Sequence, residues 1–260
     1  MFPLSVNSYL QSLGSSLVLS TSEKSSISTS VDTIKSRLTS YFGADVSGKK
    51  IYGSYARETI LPRKADENSD VDLMVIFINP YDYKPQSFLN RLKSFAEYYY
   101  TQSEIHQSSP TIVLELNHIK FELTPTIVRN GSYYIPKNSS EWMYTDPDGF
   151  HSKLNDCNKN NGYKAKPIIR ILKHWNIQKN YRDLASYQLE KRLADELMYA
   201  YFSNTTSTDY LYYSLEKIKY LTEPSRVNKA QSCITEALRL EREGYPYSAG
   251  LKIAEVFPEV

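Results

Sequence analysis

The feature that most constrains the fold is an apolar run, Val71–Ile78, whose start carries two aspartates, Asp70 and Asp72. Side chains alternate between the two faces of a β-strand, so the two aspartates point to one side while Val71 and Leu73 point to the core. Two carboxylates this close repel each other unless a cation lies between them, and hard divalent cations such as Mg2+ take carboxylate oxygens. The run therefore predicts a strand with one apolar and one acidic face. Alone, it is weak evidence for a metal, since solvated acids at a strand entrance are common.

Two further features strengthen the metal interpretation. Upstream, Gly53 and Ser54 lie where a short strand ends and a helix begins, so backbone amides and the Ser54 hydroxyl can receive phosphate oxygens. Downstream, Glu122 lies within the apolar strand 120–128, where an unpaired charge is costly unless it coordinates something. Three acids on two strands can hold two Mg2+ ions on a nucleoside triphosphate. These residues predict nucleotidyl transfer, with Glu122 as third ligand and as activator of the attacking hydroxyl.

The predicted elements change in character after residue 145. Before it, strands and helices are mixed, and 111–116 with 120–128 forms a predicted hairpin. We expect further strands at 50–52 and 71–78, and helices at 22–43 and 86–100. After it, the sequence predicts helices at 147–161, 167–179, 186–202, 208–221 and 226–243. The pattern predicts an α+β chain with a mixed-sheet domain at 1–145 and a helical domain at 146–260.

Composition excludes several classes of protein. With 260 residues, 41% hydrophobic and 23% charged, the chain is an ordinary globular protein, and its formal charge of +2 lacks the basic footprint of a duplex-binding protein. Its two cysteines and four histidines are not at zinc-ligand spacing. There is no apolar run of membrane-spanning length, and the N-terminus lacks the features of a signal peptide. We therefore expect a cytoplasmic protein without membrane contact.

The motifs resemble a known family. The stretch from Gly53 to Phe77, GSYARETILPRKADENSDVDLMVIF, together with FELTP from Phe121 to Pro125, resembles the polymerase-β-like nucleotidyltransferase superfamily. More narrowly, the first stretch is similar to the cGAS/DncV-like nucleotidyltransferases (CD-NTases) of bacterial anti-phage CBASS systems. The segments IIRILKHWN, from Ile168, and SYQLE, from Ser186, are similar to helical segments of that family. The recognisable motifs extend from about residue 50 to about residue 190.

The resemblance implies a fold and a set of site residues. The fold is the two-lobed polymerase-β-like nucleotidyltransferase fold, in which a mixed-sheet lobe with flanking helices is followed by a C-terminal helical lobe. Asp70, Asp72 and Glu122 would hold two Mg2+ ions, for which Mn2+ can substitute. The implied nucleotide-binding residues are Gly53 and Ser54 for the triphosphate, Lys173 and Ser186 for phosphates, and Tyr187 for stacking near a base.

The resemblance also implies an activity. The enzyme would join nucleoside triphosphates into a cyclic di- or trinucleotide second messenger and release pyrophosphate. Its product would act on a separate effector protein, and the enzyme itself would be a monomer. Many relatives have aspartate where this chain has Glu122, which preserves the ligand chemistry with one more methylene. The chain also lacks the Cys/His metal cluster of the animal DNA sensors, which argues against activation by DNA.

Simpler structural interpretations exist for several of these residues. Lys173 can lie at the edge of an amphipathic helix, Ser186 can cap its helix, and Tyr187 can pack. Arg57, Arg63 and Lys64, in or near the loop before Asp70, are most simply solvated, and the alternative is that they neutralise an incoming triphosphate. Asp66 and Glu67 are most simply loop acids. Two other functions stay open: a template-independent nucleotidyltransferase acting on RNA ends or a protein hydroxyl, and an inactive nucleotide-binding scaffold subunit.

Overall fold

A computed structural model describes residues 5–79 and 81–260. Contacts within the chain group these residues into two units. The first, which we call the sheet unit, comprises Leu19–Glu58 and Asn68–Gly149. The second, the helical unit, comprises the described residues up to Val18, the segment Thr59–Glu67, and Phe150–Val260. The last boundary lies close to the predicted one after residue 145, whereas the two shorter segments of the helical unit were not expected from the sequence.

The elements follow the chain in this order. The strands are β1 (Val46–Tyr52), β2 (Asp70–Phe77), β3 (Ile105–Ser108), β4 (Thr111–Glu115), β5 (Lys120–Arg129), β6 (Ser132–Pro136) and β7 (Trp142–Thr145). The helices are α1 (Val6–Ser16), α2 (Thr21–Phe42), α3 (Gly53–Ala56), α4 (Pro85–Tyr99), α5 (Pro147–Asn160), α6 (Ala165–Gln178), α7 (Ser186–Glu196), α8 (Ser207–Ile218), α9 (Pro224–Arg242) and α10 (Pro246–Ala254). The predicted α+β class is confirmed.

Among the described residues, seven strands form one mixed sheet. Its main order is β1-β2-β5-β4-β3, and β6 pairs with both β5 and β7. β2 and β5 are parallel, whereas β1 with β2 and β4 with β5 are antiparallel, which confirms the predicted hairpin. Consequently, the two strands that carry the predicted carboxylates are direct neighbours in the sheet.

The core of the sheet unit lies between the sheet and two helices. The apolar residues of α2 that recur at helical spacing are buried, as predicted, and α2 starts at a capping box of Ser20 and Glu23. Aromatic rings pack between the helices and the sheet. The ring centroid of Phe77 in β2 lies 5.1 Å from that of Phe42 in α2 and 4.8 Å from that of Phe88 in α4. This packing fixes one apolar face of β2, and at the start of the strand the other face carries Asp70 and Asp72.

The core of the helical unit is organised around α6. This helix contacts α1, α7 and α8, and most of its residues are buried, including Leu172 and Trp175. Helices α1 and α10 were missed from the sequence, and the predicted helix 186–202 in fact ends at Glu196. After Leu197 the chain tightens into a 3-10 turn at Ala200–Phe202, where the aromatic side chains are exposed and give no apolar face to continue a helix.

Among the described residues, none of the helices has both the length and the apolar character needed to cross a bilayer.

Candidate active site

The acidic pair lies at the first residues of β2. Val71 and Leu73 are fully buried, whereas the side chain of Asp70 is 31% exposed and Asp72 is half-buried. The structure thus has the alternation expected from the sequence, with both aspartates on the face opposite the core. The strand is rigid at this point because it is paired on both sides, by β1 and by β5. Two carboxylates are therefore fixed side by side on a partly exposed surface.

Glu122 joins this face because of the strand register. In the parallel pair of β2 and β5, Asp70 lies opposite Lys120 and Asp72 lies opposite Glu122. Residues opposite each other in neighbouring strands point to the same side of the sheet. We call the resulting surface the carboxylate face; it consists of Asp70, Asp72, Glu122 and Lys120. Lys120 was missed in the sequence analysis, although its position two residues before Glu122 was the available signal.

The charges of the carboxylate face are strongly coupled. The Lys120 Nζ lies 3.7 Å from Asp70 Oδ2 and 3.8 Å from Glu122 Oε1. Burial, and next the negative charge of Asp70, raise the pKa of the Glu122 carboxyl above its ordinary value. Lys120 opposes this rise, as does the Thr111 hydroxyl, which donates a hydrogen bond of 3.3 Å to Glu122 Oε2. Three acids and one lysine therefore interact on this face.

Gly53 keeps Asp72 in place. It is the first residue of α3, it is buried, and its φ of +70° is a conformation that favours glycine. A Cβ built on Gly53 would overlap the Asp72 carboxylate. The sequence analysis assigned this glycine to the approach of a phosphate; in the structure, the group that approaches its backbone closely is the Asp72 side chain. Ser54, the next residue, is half-buried.

Tyr52 is a second residue that the sequence analysis missed. It ends β1 opposite Asp72, and its hydroxyl forms a hydrogen bond of 2.6 Å with Thr124 Oγ1 of β5. The ring thus reaches past β2, which lies between these two strands. Burial, and next the charge of Asp72, raise the pKa of this phenol, so it stays neutral. The only sequence signal was its place directly before Gly53.

The donor set of the carboxylate face fits a divalent cation, because three carboxylates share one side of two paired strands and such oxygens are the ligands of Mg2+. Gly53 fits the same function by leaving room for the Asp72 carboxylate. In this conformation, however, the described residues include no group of three Asp, Glu, His or Cys side chains that converges on one ion position. The acids are adjacent, but Lys120 lies close to two of them.

The other predicted nucleotide contacts belong to the helical unit. Lys173 of α6 is only 5% exposed, so the edge position considered for it is wrong. Its Nζ lies 3.0 Å from Glu190 Oε1 of α7 and donates to the Thr59 carbonyl, also at 3.0 Å. This pair joins the two helical segments, IIRILKHWN and SYQLE, on which the family resemblance rested. Lys173 of the first segment and Glu190 of the second therefore form a buried ion pair, which is a structural role for these segments beside any contact with a ligand.

Ser186 and Tyr187 are exposed at the start of α7. Ser186 does not cap this helix, because the N-cap residue is Ala185 and no side chain makes the capping hydrogen bond. Tyr187 is 55% exposed, and the edge of its ring packs against Phe150 at a centroid distance of 5.5 Å. Both side chains are accessible to a ligand in the helical unit. Their role as nucleotide contacts stays a prediction.

The loop expected to be solvated is largely packed. Within the segment Thr59–Glu67, Leu61 and Ala65 belong to the apolar core of the helical unit. Asp66 forms an ion pair with Arg182 at 3.0 Å and is 13% exposed, and Arg57, just before the segment, is buried. The interpretation as solvated charge is therefore wrong for Arg57, and the loop acid Asp66 is paired, whereas Lys64 and Glu67 are exposed. The apolar residues between the charges fix this loop.

Comparisons of sequence agree with the motifs. Residues 4–158 match the SMODS family, described as the Second Messenger Oligonucleotide or Dinucleotide Synthetase domain. A curated relative from Acinetobacter, "Cyclic AMP-AMP-AMP synthase", is 25% identical over 192 residues, which is 66% of this chain and 55% of the relative. The chain thus spans about half the length of the curated relative it matches.

Comparisons of structure give the same fold. The Bradyrhizobium diazoefficiens CD-NTase CdnG, solved with GTP, has a TM-score of 0.72 at 11% identity and covers 97% of this chain and 99% of its own. Escherichia coli CdnC with ATP has a TM-score of 0.69 at 11% identity, with 94% of each chain covered. Elizabethkingia meningoseptica CdnE, a cyclic dinucleotide synthase, has a TM-score of 0.61 at 19% identity and covers 74% of this chain and 76% of its own.

The resemblance to the CD-NTases, stated from the motifs, is confirmed by these matches. The polymerase-β-like fold is confirmed with it, and nucleotidyltransferases related to this chain generally use divalent metals. Since the family match extends over more than half of its residues, the chain belongs to the SMODS family of second messenger oligonucleotide or dinucleotide synthetases.

Proposed function

We propose that this protein is a Mg2+-dependent nucleotidyltransferase that joins nucleoside triphosphates into a cyclic di- or trinucleotide second messenger. The observation that carries this proposal is the register of β2 and β5, which aligns Asp72 with Glu122 and places Asp70 beside them on one face. A chain of this family with that face intact has the groups that nucleotidyl transfer needs. A scaffold that had lost activity would gain nothing from three mutually repelling acids.

Each group of the carboxylate face has a proposed role. Asp70, Asp72 and Glu122 hold two Mg2+ ions, with Mn2+ as a substitute, and the bound cations supply Lewis-acid polarisation of the phosphate oxygens. The attacking ribose hydroxyl oxygen forms a bond to the α-phosphorus, and the bond from that phosphorus to the departing pyrophosphate breaks. Glu122 accepts the hydroxyl proton.

Three residues of the helical unit have proposed contacts with the nucleotide. Ser186 contacts phosphate through its exposed hydroxyl, and Tyr187 stacks on a base with its exposed ring. Lys173 contacts phosphate by exchanging its bond to the Thr59 carbonyl or to Glu190 for a bond to a phosphate oxygen. Gly53 and Ser54 receive the triphosphate in the sheet unit.

The relatives indicate the class of substrate and the biological setting. The Acinetobacter relative is named for a cyclic product of AMP units, and the CdnG and CdnC structures contain GTP and ATP. We therefore propose purine nucleoside triphosphates as substrates, and anti-phage CBASS signalling to a separate effector as the setting. A solved complex of Escherichia coli CdnC with a HORMA protein indicates that a relative also binds a protein partner.

The test is product formation from labelled triphosphates. The full chain is incubated with each radiolabelled nucleoside triphosphate, alone and in pairs, with Mg2+ or Mn2+, and the products are treated with phosphatase. We expect a phosphatase-resistant product, and in Asp72→Asn a loss of about a thousandfold or more, because the acids hold cations worth several kcal/mol of transition-state stabilisation. Asp45→Asn is the matched control, since Asp45 is an exposed acid of the sheet unit that pairs with Arg91.

The other outcomes separate the alternatives. Labelled RNA or labelled protein in place of a resistant nucleotide would refute cyclisation and favour transfer to an RNA end or a protein hydroxyl. The absence of any product with every triphosphate combination and both metals would favour an inactive scaffold. An equal loss in Asp45→Asn would show that the effect of Asp72→Asn is not specific to the carboxylate face.

A further inference from the structure

We propose that Lys120 is an internal counter-ion of the carboxylate face, that a divalent cation must displace its ammonium group, and that Lys120 thereby limits the metal affinity of this protein. The inference rests on the metal site of the proposed function. It concerns a residue that the motifs do not mark, and it predicts metal binding in the absence of nucleotide.

The position of Lys120 is fixed by the strand register. It lies opposite Asp70 in the parallel pair of β2 and β5, and it precedes Glu122 by two residues, so all three side chains share one side of the sheet. Its Nζ lies between the two acids, 3.7 Å from Asp70 Oδ2 and 3.8 Å from Glu122 Oε1. The Lys120 side chain is only 17% exposed, against 31% for Asp70 and 24% for Glu122. The Lys120 side chain is therefore less exposed than the side chains of the two acids beside it.

The two distances indicate the nature of the interaction. Both exceed the length of a hydrogen bond, so Lys120 interacts with the two acids through its charge and is not held in one fixed geometry. An ammonium group that is not locked by hydrogen bonds can move aside on its flexible four-carbon stem. Lys120 can therefore stabilise the acids without a metal and leave when a stronger cation arrives.

The ammonium group of Lys120 lies where a cation bound to this face would compete with it. No three acidic, His or Cys side chains of the described chain converge on one point, although three carboxylates lie side by side. A positive charge near Asp70 and Glu122 attracts each acid toward itself and repels any other cation from the same place. Metal binding to this face then requires an exchange of one cation for another, and removal of Lys120 should make that exchange unnecessary.

The experiment measures Mn2+ binding to the nucleotide-free full chain at fixed ionic strength, from the free Mn2+ signal in electron paramagnetic resonance. We expect Lys120→Met to bind Mn2+ with a Kd about tenfold lower than the wild type, because one unit of repulsive charge about 4 Å away is removed. Lys120→Arg, which keeps the charge, should retain an affinity close to that of the wild type. The rise in Tm on adding Mn2+ should also be larger in Lys120→Met than in the wild type.

Lys50→Met is the matched control. Lys50 is a lysine of β1 in the same sheet unit, and it pairs with Asp148. Its replacement by methionine changes the net charge of the protein as much as Lys120→Met does. Because Lys50 pairs with Asp148 and not with Asp70 or Glu122, we expect the Mn2+ affinity to stay nearly unchanged. Lys120→Gln provides a second neutral variant if the methionine variant does not fold.

The remaining outcomes decide against the proposal. If the neutral variants bind Mn2+ with the same affinity as the wild type, or more weakly, Lys120 is not a competing counter-ion, and weaker binding would instead make it a support of the site. If neither the wild type nor any variant binds Mn2+, the carboxylate face is not a cation site, and the inference fails with it. A wild type that binds Mn2+ but makes no nucleotide product would refute the proposed function and leave this inference intact.

Discussion

The molecule contains two clusters of charge that differ in their balance. The carboxylate face of the sheet unit has three acids and one lysine, and each of these side chains is partly exposed or half-buried. The pair of Lys173 and Glu190 in the helical unit has one charge of each sign, with side-chain exposures of 6% and 0%. The first cluster is open to solvent, whereas the second is closed.

The difference in exposure and pairing indicates a different role for each cluster. A buried pair that is hydrogen-bonded on both sides satisfies its own charges, so it can hold α6 against α7 without any ligand. A solvent-exposed face with three neighbouring acids can take cations from solution. We infer that the helical pair stabilises the fold in addition to the phosphate contact proposed for Lys173, while the carboxylate face performs the chemistry. The three predictions below test this distinction, from the largest expected effect to the smallest.

The largest effect is expected from breaking the buried pair. Glu190→Ala leaves the Lys173 ammonium buried with the Thr59 carbonyl as its remaining partner among the hydrogen bonds described above. Such an uncompensated buried charge costs about 3–5 kcal/mol of unfolding free energy, which urea denaturation measures. The double variant Lys173→Met/Glu190→Leu should recover most of this loss, because it removes both charges. Glu243→Ala, which breaks an exposed pair with Arg239, is the control and should change little.

An intermediate effect is expected at Gly53. Gly53→Ala places a Cβ where the Asp72 carboxylate lies, at a backbone φ of +70°, so we expect about 1–3 kcal/mol of strain and displacement of Asp72. Gly43→Ala is a matched control, because Gly43 also has a positive φ, +54°, but has no atom within 4 Å of the added Cβ. Both variants should lose stability in urea denaturation, but Mn2+ binding and product formation should fall only in Gly53→Ala. Equal Mn2+ binding in the two variants would contradict the role assigned to Gly53.

The smallest effect is expected from a single buried histidine. Burial lowers the pKa of His174 below its ordinary value of 6.5, although a hydrogen bond to the Pro258 carbonyl opposes this. The unfolded chain therefore takes up a proton before the folded protein does as the pH falls. The contribution of His174 is complete above pH 6.5 and is lost as the pH falls through the folded pKa, with a slope of at most about 1.4 kcal/mol per pH unit.

His174→Gln tests this pH dependence. Urea denaturation at about pH 8 and about pH 5.5 should show a smaller loss of unfolding free energy in this variant than in the wild type, because glutamine does not titrate. His106→Gln, which removes an exposed histidine of β3, is the control for loss of an imidazole outside the buried interior. Identical pH dependence in the wild type and His174→Gln would show that the closed interior of the helical unit does not resist protonation at this position.

Much of the fold was predictable because its signals are local. The apolar spacing of α2 and the alternation in β2 follow directly from helical and strand periodicity, and both were identified. The short strands β3, β6 and β7 were missed, since four or five residues with mixed side chains carry little periodic signal. α1 was also missed, although Val6, Leu10 and Leu13 recur at helical spacing on its buried face.

The acids of the candidate site were predicted from the sequence, but the residues that surround them were not. Asp70 and Asp72 were found because they occur together with Gly53 and Ser54, and Glu122 was found because a charge within an apolar strand is costly. Lys120 and Tyr52 were not found, because a lysine at a strand entrance and a tyrosine in a strand are common. Their importance appears only once the register places them beside the acids.

By itself, the sequence determined the class of the fold, the alternation that separates the two aspartates from the core, and the family. The tertiary structure alone decided that Lys120 lies between Asp70 and Glu122, that Glu190 neutralises Lys173, and that the charged loop before β2 is packed among helices. The physical reason is the range of the interactions. Periodicity depends on residues that are close together in the sequence, whereas strand register, ion pairing and burial depend on segments that meet only when the chain is folded.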